Sequence, residues 1–97
     1  MKKLKVYALC TFGMGTVFIL KMSVEQALKE LGIDAEVHAT NLTAIKGIVA
    51  SGGADLLVAQ ADLESHLKDL CVPTVYVKNF VDREGIKNGI KKVLGIP

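Results

Sequence analysis

At 97 residues, with a hydrophobic fraction of 51%, the chain has room for a single domain, residues 1–97, with a modest core and no second domain. A formal charge of +2, from 12 basic and 10 acidic residues interleaved along the chain, offers no basic stripe or run, so nucleic acid is excluded as an expected partner. Its two cysteines, Cys10 and Cys71, cluster neither with each other nor with histidines, and no run reaches the ~20 apolar residues of a membrane span. A cytoplasmic, reduced protein with no disulfide framework, metal or cofactor is expected.

The charged start Met1-Lys2-Lys3 runs into an apolar segment too short for a signal peptide. That segment, Leu4 to Leu9, reads as a buried parallel strand ending at Cys10. From Thr16 to Leu31, the residues Leu20, Val24, Leu28 and Leu31 recur at helical spacing, and Gly32 stands where a helix commonly stops. Ala35 to Ala39 alternates with Glu36 and His38, which suits an edge strand with one solvated face. Asn41 is positioned to cap a helix with Leu42, Ile45, Ile48 and Val49 on its apolar face, ended by Ser51-Gly52-Gly53. Asp55 to Ala59 is a third strand, and Asp62 reads as the cap of a short helix through Leu67. After a turn at Pro73, Thr74 to Val77 forms the fourth strand. Asp82 caps a last helix with Ile86, Ile90, Val93 and Leu94 on one stripe and Gly95 as its stop.

Alternating strands and helices with short, right-handed connections predict an α/β fold of three layers. Its four-stranded parallel sheet takes the order 2-1-3-4, a flavodoxin-like arrangement that also resembles half of a tyrosine-phosphatase domain. In such sheets ligands bind beyond the carboxyl ends of the strands, where the winding reverses, here between strands one and three. The loop after strand one, Cys10-Thr11-Phe12-Gly13-Met14-Gly15-Thr16, is the candidate site. Gln60 and Asp62, after strand three, form a second tier.

A thiolate at a helix N-terminus is stabilised by free backbone N–H groups and by the helix dipole. Gly13 and Gly15 allow those N–H groups to converge on a tetrahedral anion, and Thr16 adds a hydroxyl. The arrangement suits a phosphoryl group on the Cys10 sulfur. The bland alternative is a small buried cysteine at a strand end beside a tight glycine turn; the strand–loop–helix context favours the reactive reading.

Other phosphate loops fit less well. The dinucleotide fingerprint needs a glycine where Phe18 stands, and the Walker motif needs a lysine and a hydroxyl residue where Thr16 and Val17 follow Gly15. The low-molecular-weight tyrosine phosphatases place an arginine at the position of Thr16. Lacking that guanidinium, the loop is better suited to holding a phosphocysteine than to hydrolysing it.

On these residues the whole chain resembles the IIB components of the phosphoenolpyruvate-dependent sugar phosphotransferase system. The branch is that of the ascorbate, galactitol and lactose types, and Leu20-Lys21-Met22 points to the ascorbate type. The match rests on Cys10, Gly13, Gly15 and Thr16; the family often has glycine in place of Thr11 and a second hydroxyl in place of Val17. The resemblance implies that Cys10 accepts phosphate from a phosphohistidine on a IIA partner. It further implies that Cys10 donates the phosphate to a sugar bound by a membrane-embedded IIC partner, a phosphotransferase role. The rival reading is a non-covalent module for a flavin or another phosphate-bearing ligand; a persulfide-carrying sulfurtransferase ranks last. His38 and His66 are expected at the surface, Cys71 is expected to be structural, and Phe12 and Met14 either dock partners or pack across the loop.

Overall fold

A computed structural model of the chain describes residues 4–9, 14–68, 70, 72–78 and 82–95. The strands are β1 (Leu4–Leu9), β2 (Ala35–Thr40), β3 (Leu56–Gln60) and β4 (Thr74–Val77), and the helices are α1 (Met14–Glu30), α2 (Leu42–Ala50), α3 (Glu64–Leu67) and α4 (Arg83–Leu94). A 3₁₀ turn, Ala61–Leu63, leads into α3. All strand pairs are parallel and the order is β2-β1-β3-β4, as expected from the sequence.

The alternation of each strand assigns its residues to two cores. Val6, Ala8, Leu56, Val58, Val75 and Val77 face α1 and α4, which supply Leu20, Val24, Leu28, Ile86 and Ile90. Leu9, Leu57 and Ala59 face the other way, toward Ile45, Leu63 and Leu67 of the α2 and α3 layer. The sheet therefore lies between two helical layers, and each strand must satisfy both. On the edge strand β2 only Val37 is buried, while Glu36 and His38 are exposed.

Local signals act as read. Asn41 Oδ1 accepts from Ala44 N at 2.8 Å to start α2, and Asp82 Oδ1 accepts from Gly85 N at 3.1 Å to start α4. Gly32, at φ +73°, closes α1: its N–H donates to Lys29 O, and Ile33 N–H donates to Leu28 O. Only a residue free of Cβ crowding adopts that left-handed turn readily. The register of β1 against β3 is pinned at its start by Asp55, whose Oδ2 accepts from Lys5 N while its own N–H donates to Lys5 O, each at 2.8 Å.

Two expectations are corrected. α1 begins at Met14 rather than Thr16, because a helix's first turn needs no preceding carbonyl partners and so accepts glycine there at little cost. Asp62 caps no helix: it lies within the 3₁₀ turn, whose N-cap is Gln60, and α3 starts after Leu63 with no side-chain cap.

Candidate functional site

The carboxyl edge of the sheet is formed, in spatial order, by Thr40, Leu9, Gln60 and Val77. β1 connects through α1 to β2 on one side, while β3 lies on its other side. The winding reverses between them, and the crevice of a doubly wound sheet belongs at that point. Residues 10–13 join the end of β1 to the start of α1 at this edge. Cys10, Thr11, Phe12 and Gly13 themselves lie outside the described residues, as does Cys71.

Met14, Gly15 and Thr16 form the first turn of α1. Their backbone N–H groups are therefore among those that an α-helix leaves without internal partners, at the positive end of its dipole. The first turn carries no acidic residue, so nothing in it repels an anion. The helix behind it is anchored firmly: Val17 and Leu20 are buried against the sheet one turn further on.

Gln60 and Asp62 are brought together. Gln60 is the last residue of β3 and is buried, and its Nε2 donates to Asp62 Oδ2 at 3.0 Å. Ala59 is in register with Leu9, and Gln60 follows Ala59 in the sequence as Cys10 follows Leu9. Val77 of β4 is in register with Gln60 from the other side. A hollow of about 300 Å³ lined by Tyr76, Val77, Lys78, Asp82, Gly85 and Ile86 opens beside that end of β4.

His38 is exposed on the edge strand, its ring 5.5 Å from that of Tyr7, and His66 is exposed on α3. His38 thus belongs to β2 and His66 to α3, neither of them on β1, β3 or the first turn of α1. Among the described residues, no group of three or more His, Cys, Asp or Glu side chains is placed to hold a metal. Nor is any helix there long and apolar enough to cross a membrane.

Two features escaped the sequence reading. Phe18, Ile19 and Met22 project from α1 at 48%, 49% and 61% exposure, on the side away from its buried Leu20-Val24-Leu28 stripe. Their signal was the helical spacing of 18 and 22, out of phase with that stripe. The Gln60–Asp62 bond is the other, signalled by a single polar residue ending an otherwise apolar strand.

Residues 5–92 match the family described as the lactose/cellobiose-specific IIB subunit of the PTS system. The ascorbate-specific PTS system EIIB component of Mycoplasma pneumoniae is 36% identical over 94 residues, covering 96% of this chain and 97% of that protein. The lactose-specific IIB component domain from the phosphoenolpyruvate:carbohydrate phosphotransferase system of Streptococcus pneumoniae superposes with a TM-score of 0.63. It is 18% identical and covers 97% of both chains, a likeness of fold.

Proposed function

This chain belongs to the IIB subunit family of the sugar phosphotransferase system, and we propose that within it the chain is a cytoplasmic phosphoryl carrier acting through Cys10. The reading treats residues 1–97 as one IIB-type domain. The observation that carries it is where the loop falls: residues 10–13 join a buried central strand to the first turn of a 17-residue helix, at the edge where the winding reverses.

In the first step the Cys10 thiolate attacks the phosphorus of a phosphohistidine on the IIA partner. The S–P bond forms as the P–N bond breaks, and the departing imidazole nitrogen keeps the electron pair and takes up a proton. In the second step a hydroxyl of the sugar held by the membrane IIC partner attacks the same phosphorus. The S–P bond breaks, the thiolate is regenerated, and the hydroxyl proton passes to a base or to water. Both transfers move through a phosphoryl group whose charge is spread over its equatorial oxygens. The N–H groups of Met14, Gly15 and Thr16, together with those of Thr11, Phe12 and Gly13, are the donors assigned to those oxygens. Because the donors at Met14, Gly15 and Thr16 belong to the first turn of a helix anchored by Val17 and Leu20, little reorganisation of them accompanies either transfer.

Selection of the sugar falls to the IIC partner, and the 36% identity to an ascorbate-specific component makes ascorbate the first acceptor to test. Intact mass is measured after incubation with phosphoenolpyruvate, the general phosphotransferase proteins and a phosphorylated IIA. The expected result is one added phosphoryl group on the native chain and none on Cys10→Ser. Absence of the adduct across IIA types of the ascorbate, galactitol and lactose branches would overturn the reading.

A further inference from the structure

The two edges of the sheet are guarded unequally. β4 is four residues long, follows Pro73 and runs into Lys78; short length, proline and lysine are the means by which natural sheets blunt an edge. β2 is six residues long, Ala35–Thr40, with neither proline nor lysine among them. Its hydrogen-bonding phase follows from its neighbour. Leu4 N donates to Asp34 O at 3.1 Å, whereas the N–H and C=O of Lys5 bond Asp55, on the β3 side. Leu4, Val6 and Ala8 therefore turn their backbone groups toward β2, where Glu36, His38 and Thr40 answer them in the parallel ladder. The N–H and C=O of Ala35, Val37 and Ala39 point the other way, out of the sheet at its edge.

We propose that this edge pairs with the same edge of a second copy of the chain, the two β2 strands running antiparallel about a two-fold axis at Val37. In that register Val37 meets Val37 of the second copy and Ala35 meets its Ala39, and each such pair exchanges two backbone hydrogen bonds. Between them, Glu36 stands opposite His38 of the second copy, at the non-hydrogen-bonded positions where side chains approach most closely. The carboxylate accepts from an imidazole N–H whether or not the ring is charged. On β1, Lys5 is in register with Glu36 and Tyr7 with His38, the Tyr7 ring lying 5.5 Å from the imidazole. The row across the joined edges thus reads Lys5, Glu36, then His38 and Tyr7 of the second copy. Sliding the second copy by one pleat repeat in either direction keeps the backbone in phase but sets Glu36 against Glu36 or His38 against His38. The charge pattern therefore selects the register centred on Val37. The α1 face of the edge fits the same pairing: a hollow of about 260 Å³ is lined there by Leu28, Ile33, Ala35 and Val37, with the exposed Glu25 and Lys29 beside them. A two-fold axis brings the two hollows together, apolar wall to apolar wall, and supplies both signs of charge on each side.

The full chain is followed by sedimentation equilibrium from micromolar to millimolar concentration, with amide hydrogen exchange read at both ends of the series. The mass is expected to rise from that of one chain toward that of two, and exchange at the N–H groups of Ala35, Val37 and Ala39 to slow by about 10-fold or more as it does. Ala39→Pro removes an outward N–H that the β1–β2 ladder does not use, so it is expected to keep the fold and abolish association. Glu36→His and His38→Glu each set like groups opposite one another at two places in the pair, and each is expected to weaken association by about 3- to 30-fold. Combined, they exchange the two groups and are expected to restore it. A chain that stays monomeric at millimolar concentration would overturn the proposal. So would association in which the three amides exchange as fast as in the monomer, the result of a dimer made through Phe18, Ile19 and Met22, which are exposed on α1. A folded Ala39→Pro chain that still associates would overturn it too; if that variant fails to fold, a double variant no tighter than its single variants would do so.

Discussion

Gly89, in the middle of α4, tests how tightly the helix is seated on the sheet. Alanine there improves helix propensity by about 1 kcal/mol. Its Cβ, however, would stand 2.6 Å from Val75 Cγ1, far inside contact distance. Val75 has little room to yield: it is 5% exposed, it belongs to β4 in register with Val58, and its branched side chain is stiff about χ1. Overpacking of this kind costs about 1–3 kcal/mol. With the propensity gain subtracted and a clash near the severe end, Gly89→Ala is expected to destabilise the fold by about 1–2 kcal/mol, lowering Tm by about 4–16 °C for a domain of this size. Gly47 in α2 is the control, because a Cβ there meets nothing within 4 Å. Gly47→Ala should therefore stabilise by up to about 1 kcal/mol. Urea unfolding followed by far-ultraviolet circular dichroism measures both, and in a Val75→Ala background the penalty at Gly89 should largely vanish. If Gly89→Ala stabilises the protein as Gly47→Ala does, the contact between α4 and β4 has been misjudged.

Burial, and then the negative charge of Glu64, hold the Tyr76 phenol above its ordinary 10.0, with the Thr74 hydrogen bond pulling the other way. The unfolded chain therefore loses this proton first, so the contribution is intact below pH 10.0 and is lost as pH rises through the folded value. Tyr76→Phe should flatten that alkaline part of a stability-versus-pH curve, and an unchanged slope would refute the assignment. Glu30 links α1 to α4 through Arg83 Nε at 2.8 Å and Lys87 Nζ at 3.2 Å. Because the Arg83 and Glu30 side chains are 48% and 38% exposed, Glu30→Gln is expected to cost no more than about 1 kcal/mol, and less as salt is added; a larger, salt-insensitive loss in urea unfolding would show the pair to be structurally dominant.

Much of this fold was legible because its strands are short, apolar and punctuated by strong turn chemistry. β4 was read at its observed bounds from Thr74 to Val77, and β1 likewise from Leu4 to Leu9. The alternation of Glu36 and His38 marked β2 as an edge strand, which the sheet order bears out. Asn41 and Asp82 were legible as caps because their side chains can serve the N–H three residues on without help from tertiary structure. Asp62 was misread for the complementary reason. A cap-forming residue before an apolar run is a local signal, but Asp62 bonds to Gln60, and the 3₁₀ turn puts the cap positions at Gln60 and Leu63 rather than at Asp62. The start of α1 was placed two residues late because Gly15 lowers helix propensity in any local reading. The helix is held instead by Val17, Leu20 and Val24 against the sheet, a tertiary effect that local propensity does not carry.

The chain's single arginine bears on the proposal that Cys10 holds a phosphoryl group without hydrolysing it. Arg83 is held by Glu30 through Nε and donates from Nη1 to Gln26 Oε1 at 2.7 Å. Gln26 and Glu30 lie 12 and 16 residues beyond Met14 in α1, so those anchors sit ~18–24 Å along the helix from its first turn at 1.5 Å per residue. The guanidinium is committed to joining α1 to α4, and Thr16 occupies the position where a phosphatase loop would carry one of its own. A backbone cradle stabilises the phosphoryl group in the resting and transition states alike, whereas a guanidinium fork clamps the equatorial oxygens and speeds attack by any nucleophile, water included. Without the clamp, water gains little while a sugar hydroxyl delivered in line by a partner gains from proximity and orientation. On the proposed carrier reading, the same substitution that makes such a loop a poor phosphatase suits it to carrying, and the choice of acceptor would pass from the loop to the partner that presents the sugar.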